Sequence, residues 1–147
     1  MADLNSSGQK IARGVARHLA RLNFASIEEF VPHRGLRVDL IAIGPKNEIW
    51  IVECKSGRAD FMADKKWQGY LDYCDRFFWA VDIQFPTNIL PNDGGLIVAD
   101  AFDAEILRFP EAKSLNAARR KKLIHKFGRD AAMRLRSLRD PDFPYGY

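Results

Sequence analysis

Three residues with the chemistry of a metal-dependent hydrolase lie close together in the sequence: Asp39, Glu53 and Lys55. Two neighbouring carboxylates repel each other unless a cation or a shared proton compensates them, and carboxylate oxygens suit Mg²⁺ or Mn²⁺. Such an ion lowers the pKa of a bound water and neutralises charge on a phosphoryl group. A lysine beside it can orient or deprotonate the water and stabilise the transition state. These residue types predict a site for phosphodiester hydrolysis.

The elements that must position these residues are two strands of a β-hairpin. Residues 36–43 and 48–55 are rich in β-branched side chains, and the turn formers Gly44-Pro45-Lys46-Asn47 connect them. Side chains alternate between the faces of a strand, so Glu53 and Lys55 point the same way.

The hairpin register decides whether Asp39 joins Glu53. A three-residue loop pairs Gly44 with Glu48 and places Asp39 opposite Glu53, with their Cβ atoms about 4.5 to 5.5 Å apart. A four-residue loop would place Asp39 opposite Val52 instead. We favour the first register because it brings two carboxylates to one cation, and a slip of one residue would undo it.

A structural reading of the same residues stays open. Both faces of the hairpin are otherwise apolar, so the sheet is expected to be covered on both sides and its charges need partners. An Asp39–Lys55 salt bridge would satisfy that need without any catalysis. The two expected faces are Ile41, Ile43, Ile49 and Ile51 on one side, and Val38, Leu40, Ala42, Trp50, Val52 and Cys54 on the other.

Length and composition indicate one cytoplasmic domain spanning residues 1–147. Cys54 and Cys74 lack metal-ligand spacing and are interpreted as small buried thiols. No apolar run approaches the roughly 18 residues of a membrane helix, and the N-terminus lacks the apolar core of a signal peptide. Membrane function and a disulfide framework are therefore not expected.

The remaining elements are predicted from helical spacing, caps and alternation. The segment Asn5-Ser6-Ser7 offers an N-cap for a first helix that ends near Leu22. We expect an α/β fold in which a mixed sheet is sandwiched between helices. The other predicted elements are strands at 28–33, 76–82, 95–101 and 105–109, and helices at 60–74 and 114–138.

Positive charge is concentrated near the C-terminus. Residues 113–147 hold ten Lys or Arg and three Asp, a net charge of +7, whereas the preceding residues have a net charge of −3. In the last helix an apolar stripe should face the core and leave most bases outward. The predicted stripe is Ile124, Phe127, Ala131, Leu135 and Leu138.

Basic helices beside an acidic metal site are typical of a phosphate-backbone binder, although basic helix faces are often only solvated. Trp67, Tyr70 and Leu71 have helical spacing and are expected in the core rather than as a base-stacking platform. The predicted DNA-contacting residues are Arg13, Arg17 and Arg21 on the first helix, Arg37 on the hairpin, Lys65, Lys66 and Gln68 after it, and Arg119, Arg120, Lys121, Lys122 and Lys126 on the last helix.

With Asp39 as first acid and Glu53-Cys54-Lys55 as the E-x-K element, the chain resembles the PD-(D/E)XK nuclease superfamily. Three longer runs narrow the resemblance to the MmcB family of bacterial DNA repair proteins: residues 51–56, 59–67 and 70–81, of which Ala59 to Val81 is the most specific stretch. The Gly35-Leu-Arg-Val-Asp39 lead-in and the Leu96-Ile-Val-Ala-Asp100 strand also fit. The resemblance implies one domain of restriction-endonuclease-like fold, nucleoid-associated in the cytoplasm, with a role in repairing damaged DNA.

One departure from the wider superfamily concerns the acids. Many members carry a further acid on the helix before the hairpin, yet residues 7–24 contain no Asp or Glu. Glu28 and Glu29 lie nearer the hairpin and are possible substitutes. Otherwise the metal would have two protein carboxylates, Asp39 and Glu53, helped by the backbone carbonyl of Cys54.

Three functional hypotheses follow. The first is a Mg²⁺- or Mn²⁺-dependent DNA endonuclease or nickase acting on damaged or branched DNA. The second is a DNA repair protein that kept the nuclease fold and binds DNA with weak catalysis or none. The third is an interaction protein with a salt-bridged hairpin.

Overall fold

Six short runs rich in β-branched and aromatic residues form one mixed sheet in the computed structural model, which describes residues 6–145. The spatial order of the strands follows the chain order. β1–β2–β3 and β5–β6 pair antiparallel, whereas β3, β4 and β5 run parallel. The strands are β1 (Ala25–His33), β2 (Leu36–Ile43), β3 (Ile49–Lys55), β4 (Arg76–Val81), β5 (Gly95–Ala99) and β6 (Ala104–Arg108).

Helices cover both faces of this sheet, which confirms the predicted fold class. Ser6 caps the first helix by accepting the N–H of Gln9, and Asn5 lies outside the described residues. Asn116 caps the last helix, two residues later than the predicted start at Ser114. The helices are α1 (Ser7–Arg21), α2 (Arg58–Ala63), α3 (Trp67–Tyr70) and α4 (Ala117–Arg139).

The β2–β3 hairpin has the predicted register. Ile41 pairs with Ile51, and the N–H of Gly44 donates to the carbonyl of Glu48 at 2.9 Å, which closes a three-residue loop. Asn47 ends this loop in the left-handed region at φ 66°, a conformation that Asn tolerates. Continuing the same register places Asp39 opposite Glu53.

Val38 does not lie on the face that alternation predicts. It packs with Phe30 on the α4 side of the sheet, whereas Leu40 packs on the α1 side. Opposite this point, between the paired residues Glu28 and Phe30, Glu29 has a left-handed backbone at φ 51°. The alternation of faces is therefore broken at Asp39, and the expectation for Val38 was wrong because sequence periodicity does not reveal a local irregularity in the neighbouring strand.

The prediction of one continuous helix over residues 60–74 was wrong. The structure instead has α2, a break at residues 64–66, α3 and a 3₁₀ turn over Leu71–Tyr73. Asp64 produces the break, because its Oδ1 accepts the N–H groups of Lys66 and Trp67, at 2.8 and 3.1 Å. A short Asp side chain that bonds nearby backbone N–H groups competes with a continuous helix.

The last turns of α4 do not face the core. Leu123 is buried, and Ile124 and Phe127 pack beside it, but Leu135 and Leu138 are exposed, Leu138 by 81%. Near Arg134 the helix has already reached the edge strand β1, so no further strand lies beneath its end. The predicted apolar stripe therefore holds only for the first part of the helix.

Both cysteines are free and buried, as predicted. Among residues 6–145, no helix is long and apolar enough to cross a membrane.

Candidate active site

Asp39 and Glu53 interlock where the β2–β3 ladder ends. Oε1 of Glu53 accepts the backbone N–H of Asp39 at 2.9 Å, and Oδ2 of Asp39 accepts the backbone N–H of Cys54 at 2.8 Å. Each carboxylate thus accepts a hydrogen bond from the backbone of the opposite strand. One oxygen of each carboxylate is used in this way, which leaves the other for a cation.

Neither carboxylate is compensated well enough to keep its ordinary acidity. Burial raises the pKa of Asp39, and the Cys54 N–H and the nearby Lys55 ammonium only partly oppose this effect. Burial and the adjacent Asp39 carboxylate raise the pKa of Glu53 to about 9. The pair therefore holds negative charge only at a cost, which a bound cation would offset.

Lys55 is held by Asp64 and not by Asp39. Its Nζ lies 2.8 Å from Oδ2 of Asp64, and the two side chains are only 7% and 8% exposed. Among the ion pairs of the described residues none joins Asp39 to Lys55, so the alternative salt bridge considered from the sequence was wrong.

Asp64 determines the charge state of Lys55. Burial lowers the pKa of Lys55, but the hydrogen bond and charge of Asp64 more than compensate, and the net effect raises that pKa. Burial would raise the pKa of Asp64, yet Lys55 and the N–H groups of Lys66 and Trp67 hold it below its ordinary value. Lys55 is therefore a fixed ammonium group at neutral pH.

A cleft of about 950 Å³ opens over these groups. Its walls are formed by elements on both faces of the sheet. They are the start of α1, the irregular part of β1, the α2–α3 segment and one residue of α4. Tyr70 hydrogen-bonds the carbonyl of Arg37 at 3.2 Å and closes one side. Besides the acids and Lys55, its polar or charged lining residues include Gln9, Arg13, Glu28, Glu29, Arg37, Asp60 and Arg134.

The donor set fits a divalent cation held by two carboxylates and backbone. Among residues 6–145, no three His, Cys, Asp or Glu side chains group closely enough to hold a metal ion, so Glu28 and Glu29 line the cleft without completing a third ligand. The N–H and C=O of one strand residue point to the same side. Since the Cys54 N–H points to Asp39, its carbonyl faces the same side and is suited to be the third protein oxygen.

Comparison with known proteins identifies the family to which the chain belongs. The family model "DNA repair protein MmcB-like" matches residues 2–142. The chain belongs to the MmcB-like family of DNA repair proteins. Among solved structures, the SPO1766 protein of unknown function from Silicibacter pomeroyi is 60% identical, with a TM-score of 0.93 over 96% of each chain. Among curated proteins, none matches significantly.

The predicted DNA-contacting residues of this MmcB-like protein divide into separate groups. Arg13 and Arg37 line the cleft, whereas Arg17 and Arg21 contact Phe102 and Asp103 in the β5–β6 turn. Lys65, Lys66 and Gln68 are exposed around the α2–α3 break, outside the lining of the cleft.

The basic residues at the start of α4 lie at the other end of the sheet. Arg120 makes a two-pronged ion pair with Asp75, whose carboxylate also accepts the N–H of Ile49 at the beginning of β3. Four residues of strand separate Ile49 from Glu53, about 13 Å. Arg119 donates to the carbonyl of Asp72 and lies over Tyr73. Lys121 and Lys122 are exposed, and Lys126 pairs with Asp130.

Sequence reasoning missed several residues of the cleft, among them Asp64 and Arg134. Asp64 precedes Trp67 by three residues, and this spacing is typical of an N-cap, which was the available signal. Arg134 donates to the carbonyls of Glu28 and Glu29 and fixes the irregular part of β1. Nothing in the sequence signals this contact, because the partners are backbone atoms of a distant strand.

Proposed function

We propose that this protein is a Mg²⁺- or Mn²⁺-dependent DNA endonuclease or nickase that acts on damaged or branched DNA during repair. The observation that carries the proposal is the interlocked pair of Asp39, which is half-buried, and Glu53, which is buried. Their partners within the described residues compensate the two carboxylates only in part. Membership in a DNA repair family supports DNA as the partner.

Asp39, Glu53 and the Cys54 carbonyl would hold the ion. When bound, the ion supplies an acidified water and a positive charge beside the phosphoryl oxygens. Backbone N–H groups hold one oxygen of each carboxylate in place, and this fixes the direction in which the other oxygen would bind the ion. This anchoring provides the preorganisation that catalysis requires.

Lys55 would act as an ammonium group and not as a base. Because Asp64 keeps its pKa above the ordinary value, Lys55 retains its proton at neutral pH. It can then orient a water through its protons and stabilise charge that develops on the phosphoryl oxygens. Deprotonation of the attacking water would fall to another group, such as a phosphate oxygen of the substrate or a second water.

The arginines of the cleft would hold the DNA backbone. Arg13, on α1, and Arg37, on β2, both line the cleft that contains the acids, so the cleft carries positive as well as negative side chains. Cationic walls attract phosphates and offset the repulsion between DNA and the carboxylates. The exposed Lys121 and Lys122 would add a more distant contact.

The second candidate is a DNA-binding protein of the same fold with weak or no catalysis. The closed Lys55–Asp64 pair favours it, because Asp64 compensates part of the ammonium charge that the transition state would use. Both candidates bind DNA, and only the first cleaves it.

A cleavage assay with matched variants separates them. Purified protein is incubated with flaps, junctions, nicked duplexes and single strands, with Mg²⁺, with Mn²⁺ and with EDTA. We expect the wild type to cleave DNA in the presence of the metal ion. Asp39→Asn and Glu53→Gln should each reduce the cleavage rate by about 10³-fold or more, because a metal ion stabilises the transition state by several kcal/mol. Glu105→Gln, which changes an exposed acid on β6, serves as the control and should cleave normally.

Metal binding is measured on the same proteins by thermal unfolding. The wild-type melting temperature should rise with Mg²⁺ or Mn²⁺ because a ligand that binds only the folded state stabilises it, and the two acid variants should lose this rise. A wild type that neither gains stability from either ion nor cleaves any substrate would support the second candidate.

A further inference from the structure

Phe102 is a large apolar side chain that the fold leaves at the surface, 65% exposed, on the turn between β5 and β6. Two arginines accompany it: the guanidinium carbons of Arg13 and Arg17 lie 5.7 and 5.8 Å from the centre of its ring. Exposed aromatic rings beside arginines are the combination with which proteins bind unpaired nucleic acid strands.

The turn that carries Phe102 is fixed in place. Oδ1 of Asp100 accepts the N–H groups of Phe102 and Asp103, at 2.7 and 2.9 Å, and the Asp100 N–H donates to the Asp103 carbonyl. Helix α1 approaches so closely that a Cβ at Gly14 would lie 1.9 Å from the carbonyl oxygen of Asp100. The exposed ring is therefore held on a rigid support, so little ordering would be needed on binding.

The Phe102 ring lies at the same end of the sheet as the acids, the end at which the parallel strands β3, β4 and β5 finish. Lys55 pairs with Val81 across β3–β4, and Val81 pairs with Val98 across β4–β5, so Val98 is two strand spacings from Lys55, about 10 Å. The Phe102 turn begins two residues after Val98. Arg13 connects the two places directly, since it lines the cleft and lies over the ring.

We propose that Phe102, with Arg13 and Arg17, is a stacking platform for an unpaired base of the strand whose phosphate lies in the cleft. The proposal rests on the proposed function and names its substrate class: DNA with a single-stranded stretch beside the scissile bond, such as a flap, a gap or an unpaired lesion. Arg13 and Arg17 neutralise the backbone of the strand whose base stacks on the ring.

The test measures binding by the full-length protein in EDTA, so that no cleavage occurs. The probes are a fluorescein-labelled 15-nucleotide oligothymidylate, a duplex of equal length, and an oligothymidylate with one 2-aminopurine, whose fluorescence falls when it stacks. The variants are Phe102→Leu, which keeps apolar volume without the ring, and Phe102→Trp, which keeps a stacking surface. Because the side chain is exposed, both should fold, which thermal unfolding checks.

A control residue is available at the opposite end of the sheet, at the other end of strand β6. Phe109 is 55% exposed and also lies beside an arginine, Arg76, at 5.5 Å, but it follows β6 at the end remote from the acids. Phe109→Leu removes an exposed ring beside an arginine without touching the proposed platform. Because Phe109 also packs edge-on against the buried Trp50 and Phe78, thermal unfolding checks this variant as well.

We expect Phe102→Leu to weaken single-strand binding about tenfold or more, within the range found for loss of one stacked base, and to abolish 2-aminopurine quenching. Phe102→Trp and Phe109→Leu should bind like the wild type. Duplex affinity and the salt dependence of single-strand binding should not change, because stacking releases no counterions.

Several outcomes would overturn the platform: single-strand affinity of Phe102→Leu within twofold of the wild type, an equal loss for duplex, an equal loss in Phe109→Leu, or no single-strand binding by the wild type. Parallel cleavage assays in Mg²⁺ keep the two proposals apart. Cleavage without dependence of binding on Phe102 overturns only the platform, whereas Phe102-dependent binding without cleavage by the wild type supports the platform and overturns the nuclease.

Discussion

Buried or half-buried carboxylates lie near both ends of β3, and their charge is compensated at one end but only partly at the other. At the beginning of the strand, Asp75 accepts the N–H groups of Ile49 and Leu115 and a two-pronged ion pair from Arg120. Burial alone would raise the pKa of Asp75, but these partners hold it below its ordinary value. At the other end, Asp39 and Glu53 have raised pKa values.

The difference separates a structural carboxylate from one suited to bind a ligand. Asp75 has all of its charge compensated within the protein, and it joins the hairpin, β4 and α4. Asp39 and Glu53 receive one backbone N–H each and face each other, and the nearby Lys55 ammonium opposes their raised pKa values only in part. Burial of acids is common to both ends, and only the number of hydrogen-bond and charge partners distinguishes them.

Removing one charge at each end should affect stability in opposite directions. Asp75→Asn leaves the Arg120 guanidinium without its partner and should lower the free energy of unfolding by about 3 to 5 kcal/mol. Asp39→Asn relieves a repulsion and should leave the metal-free protein as stable as the wild type or more so. Urea unfolding of both variants in EDTA measures this contrast. Equal losses would mean that Asp39 is also a structural carboxylate.

The pH dependence should also have opposite signs. The pKa of Glu53 in the folded protein, about 9, exceeds its ordinary value of 4.5, so the folded state binds the extra proton and stability falls as pH rises from about 5 to 9. One group accounts for at most about 1.4 kcal/mol per pH unit. The pKa of Asp75 is lowered from 3.8, so its contribution is complete above that pH and is lost in acid below it.

Melting temperatures in EDTA check this sign. Glu53→Gln should remove the decline between pH 5 and 9, so that its advantage over the wild type grows with pH. Asp75→Asn should show a constant deficit across the same range. A wild type whose stability does not fall towards pH 9 would contradict the raised pKa of Glu53.

The smallest expected effect concerns DNA affinity near the two ends. Replacing Arg13 or Arg37 with Ala should reduce the slope of log affinity against log salt by roughly 0.9 for each duplex phosphate that the protein no longer neutralises. Lys121→Ala and Lys122→Ala should reduce it less, because these exposed lysines lie outside the lining of the cleft. Fluorescence anisotropy at several salt concentrations gives both slopes, and equal reductions would place DNA along the whole of α4.

The sequence predicted the hairpin and its register because both depend on local signals. Turn formers at Gly44 and Asn47 and the need to bring Asp39 opposite Glu53 were enough to choose the three-residue loop. Lys55 followed from the two-residue periodicity of β3. The other strands and the first and last helices followed from similar patterns over longer runs, whereas the strand order came only from the structure.

The errors arise where a side chain bonds to backbone or where the chain leaves its regular path. Asp64 splits the predicted helix and takes Lys55 as its partner, which helical spacing alone does not show. Val38 changes face because β1 is irregular at Glu29. Arg120 and Lys121 are adjacent bases, yet one is fixed by Asp75 and the other is exposed, a distinction set by tertiary contacts.

The position of Asp64 has a consequence for how the site forms during folding. Asp39, Glu53, Lys55 and Asp64 all come from the segment 39–64, and the closest of their contacts joins residues nine positions apart, Lys55 and Asp64. Short loops close at low entropic cost, so contacts of this kind can form early in folding. The acids and their lysine therefore belong to one local unit of the chain, whereas the Asp75–Arg120 pair, 45 residues apart, must await the docking of α4.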